Sequence, residues 1–195
     1  MAKIEIDKNT TALFIGDYYA DVVGTVAHAV ERNCLAKTVA LRAAARKAGV
    51  LVSYSATVFR PGFPEIGTQN KIFVARKQSG SPAVADPVSI IHPSVRPGDD
   101  EIVVGKRRVN AMFATDLHLV LSARGIRTLI MLGYATSGVV LSTARYAADL
   151  DYRLLIVEDC CIDTDASVHD FLCSKIFPRQ TDVVQSADLI QSLGE

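Results

Sequence analysis

The sequence predicts a single-domain α/β protein in three layers, α/β/α, with a mostly parallel sheet between two layers of helices. Short β-branched runs alternate with segments of helical period about six times, the pattern of parallel strands joined by helical crossovers. A chain of 195 residues, at about 100–200 residues per domain, has room for one core and little for a second. Apolar residues make up 49% and charged residues 22%, which suits a chain that buries a core rather than one that stays disordered.

The first run, Thr11-Ala-Leu-Phe-Ile-Gly16, is apolar throughout, ends at Asp17 and reads as a buried strand. Residues 25–48 read as one helix, because Val30, Cys34, Leu41, Ala45 and Ala48 recur at spacings of three, four or seven and Gly49 follows as a terminator. Residues 50–58 are the second strand. Residues 59–100 break the alternation with Pro61, Pro64, Pro82, Pro87, Pro93 and Pro97 and read as a long irregular excursion, the kind of segment that carries function or subunit contacts in compact domains. Beyond it come a strand at 101–105, a helix at 115–124 closed by Gly125, and a strongly apolar strand at 127–133. A helix at 139–150, a strand at 153–157, a helix at 166–177, a short strand at 183–184 and a last helix at 187–193 complete the chain. No internal repeat or low-complexity tract interrupts this order.

Charge and cysteine usage narrow the function. Lysine plus arginine and aspartate plus glutamate both number 21, so no overall field draws the protein to nucleic acid or anionic lipid. No apolar run reaches the roughly 20 residues of a membrane span. Cys34, Cys160, Cys161 and Cys173 follow a short, mixed amino terminus and read as reduced, buried thiols of a cytoplasmic protein. No Cys/His spacing suggests zinc, the four scattered histidines read as helix-face or capping residues, and neither a metal nor a cofactor is expected.

In a parallel sheet ligands bind beyond the carboxyl ends of the strands, and three strand ends carry suggestive residues. Asp17 follows the first strand, where apolar walls would raise its pKa for acid or base work, or where it would only bond neighbouring amides. Lys106 opens the basic run Lys106-Arg107-Arg108 after the third strand, either to neutralise Asp17 or bind an anionic substrate, or simply as part of a solvated run. Gly133-Tyr-Ala-Thr-Ser-Gly138 runs from the fourth strand into a helix, so that free amides would hold an anion or oxyanion, unless both glycines are ordinary turn residues. No Gly-x-Gly-x-x-Gly or Walker pattern points to a nucleotide.

These residues together resemble the isochorismatase-like hydrolase superfamily, which includes nicotinamidases and other cysteine amidohydrolases. The resemblance runs over nearly the whole chain. It is carried by Ala12 to Asp21, by Arg60 to Glu65, by Val104 to Leu117 with Asn110 where serine is usual, by Ala123 to Thr136, by Ser142 to Arg153 and by Val157-Glu-Asp159. It implies a Rossmann-like topology, Asp17 and Lys106 as catalytic residues, and Tyr19, Asn110, Phe113, Tyr134, Ala135, Thr136, Ser137 and Gly138 around a small-molecule substrate. It also implies a cis peptide between Tyr134 and Ala135 and a homodimer or homotetramer, with residues 62–97 as a candidate for subunit contact and for covering the site.

One position departs from the resemblance. The family's nucleophilic cysteine falls at Val139, and an isopropyl group has neither charge nor lone pair with which to attack a carbonyl. The other cysteines lie elsewhere in the chain, and Ser137 and Ser142 point away along the helix. The zinc-binding Asp and His of nicotinamidases have no counterpart. Isochorismatases, which carry Gly at that position, hydrolyse a vinyl ether with the Asp as general acid and no covalent intermediate, and retention of Asp17 and Lys106 fits that branch. The sequence leaves three readings open: a thiol-independent hydrolase, a catalytically silent relative that binds through the same pocket, and a cysteine amidohydrolase whose nucleophile has been replaced.

Overall fold

The structure is a computed structural model that describes residues 4–194. Its six strands are β1 (Thr11–Gly16), β2 (Leu51–Thr57), β3 (Ile102–Lys106), β4 (Thr128–Gly133), β5 (Arg153–Val157) and β6 (Asp182–Val184). They form one sheet in the order β3-β2-β1-β4-β5-β6 with every pairing parallel. The chain winds outward from β1 to β3, then returns to the other side of β1 with β4, so the strand order reverses between β1 and β4. Ligands of open parallel sheets bind at such a reversal.

Seven α-helices connect and cover the strands: α1 (Ala27–Glu31), α2 (Cys34–Lys47), α3 (Lys71–Gln78), α4 (Leu117–Ala123), α5 (Leu141–Ala148), α6 (Ala166–Phe171) and α7 (Ser186–Gly194). The central strands β1 and β4 are buried along their whole length, which is why they read as continuous apolar runs rather than alternating ones. Leu13, Ile15, Ile130, Leu132 and Leu155 are sealed from solvent between the helix layers. None of the helices is long and apolar enough to cross a membrane among the described residues.

Three expectations from the sequence need correction. The helix read over 25–48 is two helices, broken at Asn33, which adopts a left-handed φ of 55°. Asparagine is among the few residues that tolerate that conformation, and the apolar periodicity ran across the break because Cys34, Leu41 and Ala45 all face the core from α2. The excursion at 59–100 contains a helix, α3, whose amino end is capped by Asn70 accepting from the Phe73 N–H at 3.3 Å. Only Phe73 of that helix is buried, so it left no periodic signal. The helix read from 139 begins earlier, with a π-turn over Thr136–Val140 leading into α5, and α6 continues through a π-turn at Leu172–Ile176.

Two contacts hold the excursion over the strand ends. Residues 90–92 run beside residues 18–20, with the Ala20 N–H donating to the Ile90 carbonyl and the His92 N–H to the Tyr18 carbonyl. Phe59, buried where the excursion leaves β2, packs edge-on against Phe73 with ring centroids 5.3 Å apart. That aromatic pair pins α3 above the carboxyl end of β2.

The strand ends at the reversal approach unusually closely. Gly16 and Gly133 are register partners, and a Cβ on Gly133 would collide with the Gly16 backbone carbonyl. The obstacle is backbone in the sheet centre and cannot swing aside. Gly133→Ala is therefore expected to cost about 1–3 kcal/mol as overpacking, read as a lower midpoint in urea unfolding, whereas Gly125→Ala, with open space around it, perturbs only its own left-handed turn.

Candidate functional site

Asp17, Ser55, Thr57 and Lys106 sit at the ends of three adjacent strands, and the parallel register aligns them: Gly16 pairs with Ser55, and Thr57 with Lys106. Asp17 takes a left-handed φ of 54°, which aspartate tolerates better than most residues, and its N–H donates to the Ser55 carbonyl at 2.9 Å. The Lys106 ammonium lies 2.6 Å from one Asp17 carboxylate oxygen. It also donates to Thr57 Oγ1 at 2.6 Å and to the Arg108 carbonyl at 3.2 Å. Ser55 Oγ donates to the other Asp17 oxygen at 3.1 Å. Asp17 and Lys106 are 6% and 1% exposed, so this is a buried ion pair with its remaining donors and acceptors occupied.

Burial is the largest influence on Asp17 and pushes its carboxyl above the ordinary carboxylate range, with Lys106 pulling the other way. A carboxyl in that state holds a proton longer than an exposed one, and the fixed ammonium stabilises the anion left when the proton goes. Tyr19 adds a neutral wall. Its hydroxyl accepts the Thr57 N–H at 2.8 Å, and burial, followed by the Asp17 charge, drives its pKa well above the ordinary phenol value.

The pair faces a cavity of about 210 Å³ lined by Asp17, Tyr19, Thr57, Lys106, Tyr134 and Val139, with Ala135, Gly138, Ile72, Phe73, Arg76 and Val109 completing the wall. The Tyr134–Ala135 peptide is cis. Val139 is 1% exposed, and its methyls come so close to Gly16 that a Cβ there would stand 3.0 Å from one of them. Its side chain thus fills the angle between β1 and the π-turn, beside Asp17.

Other residues singled out by the sequence lie behind this wall or away from it. Thr136 is buried and its hydroxyl is 2.9 Å from His169 Nδ1, while the Ser137 N–H donates to Asp163 at 2.8 Å. Asn110 ties the segment after β3 to α5, donating to the Ser142 carbonyl at 3.1 Å and accepting from the Met112 and Phe113 N–H groups. Phe113 is exposed and does not line the cavity. Ser55, Thr57, Phe73, Arg76 and Val109 went unnoticed in the sequence. The alternation Ser53-x-Ser55-x-Thr57 was a legible signal, since residues two apart share a strand face, but nothing marked the residues of α3.

All four cysteines are free and buried, and none lines the cavity. Burial pushes the Cys160 and Cys173 thiols up to about 12 and also drives Cys161 well above the ordinary thiol value. A thiol held so far from ionisation is a poor nucleophile.

A parallel sheet in the order 3-2-1-4-5-6 with a polar site at its reversal point defines a Rossmann-like α/β protein. Within that class the chain belongs to the isochorismatase family, whose domain model matches residues 11–188. It is 37% identical over 95 residues to the uncharacterised isochorismatase-family protein YecD of Escherichia coli O157:H7, covering 49% of this chain and 50% of that protein. It is 31% identical over 108 residues to a maleamate amidohydrolase of Pseudomonas putida, covering 55% and 51%. The chain thus spans about half the length of these curated relatives. Among solved structures it superposes on an isochorismatase-family protein from Burkholderia thailandensis with a TM-score of 0.80, 25% identity and full coverage of both chains. It also superposes on a cysteine hydrolase from Pseudomonas syringae with a TM-score of 0.87 and 21% identity, covering 98% and 96%.

Removing one partner of a buried pair strands the other. Lys106→Met is expected to cost about 3–5 kcal/mol at about pH 8 and less at about pH 5. The sign follows from Asp17: its folded-state pKa is raised, so the folded chain holds that proton more tightly than the unfolded chain, and the penalty eases as pH falls and the carboxyl is neutralised. Urea unfolding of wild type and variant at both pH values checks this.

Proposed function

We propose that the protein is a thiol-independent hydrolase of a small carboxylated or amide-type substrate, with Asp17 as general acid and Lys106 as its electrostatic partner. The observation that carries this reading is the buried Asp17–Lys106 pair facing a cavity lined by Val139, the position at which the resemblance expects the nucleophile. In this reading Tyr19, Tyr134, Ala135 and Gly138 touch the substrate, while Asn110, Thr136 and Ser137 hold the wall behind it and Phe113 lies outside. The chemistry proposed is that of isochorismate hydrolysis to pyruvate and a dihydroxy-cyclohexadiene acid. Asp17 gives its proton to the terminal vinyl carbon, the C=C electrons form the new C–H bond, and the ether oxygen shares the positive charge of the resulting oxocarbenium ion. Water adds to the ether-bearing carbon of that ion and returns a proton to Asp17. The hemiketal C–O bond then breaks, the alcohol leaving with the hydroxyl proton and the ketone forming.

Lys106 keeps its charge throughout and offsets the Asp17 carboxylate between the two transfers. We further propose a cytoplasmic homodimer or homotetramer, for which Phe113, Leu119 and Phe171, each more than half exposed, offer apolar surface.

Pyruvate release from isochorismate, coupled to lactate dehydrogenase, tests the reaction. Wild type is expected to release pyruvate and Asp17→Asn to lose at least about a hundredfold in rate, the lower range for a missing general acid. The wild-type rate should fall as pH rises through the elevated Asp17 pKa, because the acid form is the active one. A wild-type rate equal to the uncatalysed one overturns the proposal.

A second reading is favoured by the names of relatives: a maleamate amidohydrolase, ureidoacrylate amidohydrolases and an N-carbamoylsarcosine amidase are among those that match. In that reading the chain is an amidohydrolase lacking its nucleophile. Val139→Cys would place a thiol beside Asp17 at the start of the helix, and amide hydrolysis gained by this variant, measured as ammonia release from maleamate, would support it; silence of the variant would count against it.

A further inference from the structure

We infer that Arg76 of α3 is a substrate-binding residue that selects for a carboxylate, a role that rests on the cavity being the substrate site of the proposed hydrolase. Arg76 lines the cavity shared by Asp17, Lys106 and Val139. Its Nε is closed off from solvent and has no hydrogen-bond partner. No ion pair or hydrogen bond joins its guanidinium to any other described residue. Arg42 and Arg107 have the same unpartnered Nε, but each is engaged by a carboxylate, Glu101 and Glu65 respectively, whereas Arg76 faces the cavity without one; an unmet buried donor costs about 1–3 kcal/mol.

The charges lining the cavity sharpen the point. They are Asp17, Lys106 and Arg76. Lys106 is committed to Asp17 at 2.6 Å, so the wall carries one uncompensated positive charge, and it belongs to Arg76. Guanidinium stays charged at any working pH and presents parallel N–H groups that match the two oxygens of a carboxylate. Beside it, Ile72, Phe73 and Val109 supply an apolar shelf, and Phe73 is held in place by Phe59. A small acid with a flat apolar body therefore fits with its carboxylate on Arg76 and its body against α3, its far end toward the Asp17–Lys106 pair.

Binding of benzoate and of benzamide, nearly equal in shape and different in charge, tests this by isothermal titration without any turnover. Wild type is expected to bind benzoate at least about tenfold more tightly than benzamide, and the preference should shrink as salt is added. Arg76→Gln should bind the two alike, and Arg76→Lys, which keeps the charge but not the fork, should retain part of the preference. Equal binding in wild type, no binding of benzoate, or an undiminished preference in Arg76→Gln would overturn the assignment. If Arg76→Gln does not fold, the wild-type and Arg76→Lys titrations decide. Failure of the hydrolase reading shows separately, as absent pyruvate release with the benzoate preference intact.

Discussion

An aspartate and a lysine brought together out of water need each other, and most of what is particular to this molecule follows from that dependence. Each charge alone would be expelled or neutralised. Together at 2.6 Å, with Thr57 and Ser55 meeting the remaining oxygens and protons, they can stay at the ends of the central strands. The pair requires β1 and β3 to flank β2 in register, since its members come from the outer two and its hydroxyls from the middle one. Sheet order, register and site are thus one constraint. A slip of one residue in β2 would turn Ser55 and Thr57 to the opposite face and leave both charges short of partners.

The second constraint is closeness at the reversal point. Gly16 and Gly133 let the carboxyl ends of β1 and β4 meet without side chains between them, and the π-turn over Thr136–Val140 delivers Val139 into the angle beside Asp17. The wall behind is held by polar contacts that do not enter the cavity, such as Thr136 with His169 and Ser137 with Asp163. Asp163 in turn takes a hydrogen bond from His28 at its backbone carbonyl, and Arg32 joins the same region through Glu158. The helices before and after the site are knitted together there.

The sheet was legible because its central strands β1 and β4 are buried along their whole length and so read as unbroken apolar runs, and because three strand ends carry residues of contrasting chemistry. Asp17 and Lys106 could be singled out by the rule of strand ends alone. The break at Asn33 was not legible, since one left-handed residue leaves the apolar period on either side undisturbed. Nor was α3: with a single buried residue, it is held by an aromatic contact to Phe59 rather than by its own pattern. Residues placed by tertiary contact carry no local signature, which is why Arg76 and Phe73 entered the site only from the structure.

The absence of sulfur from the cavity reaches beyond the choice of nucleophile. Enzymes built around an ionised thiol lose it to peroxide, because the low pKa that makes sulfur attack a substrate also exposes it to oxidation. Here the residue beside Asp17 is a hydrocarbon, and the four thiols that exist are buried, with burial raising the pKa of each. A carboxyl, an ammonium and an isopropyl group offer an oxidant nothing to take. A peroxide that would silence a thiolate site of the same shape finds no sulfur in this cavity to oxidise.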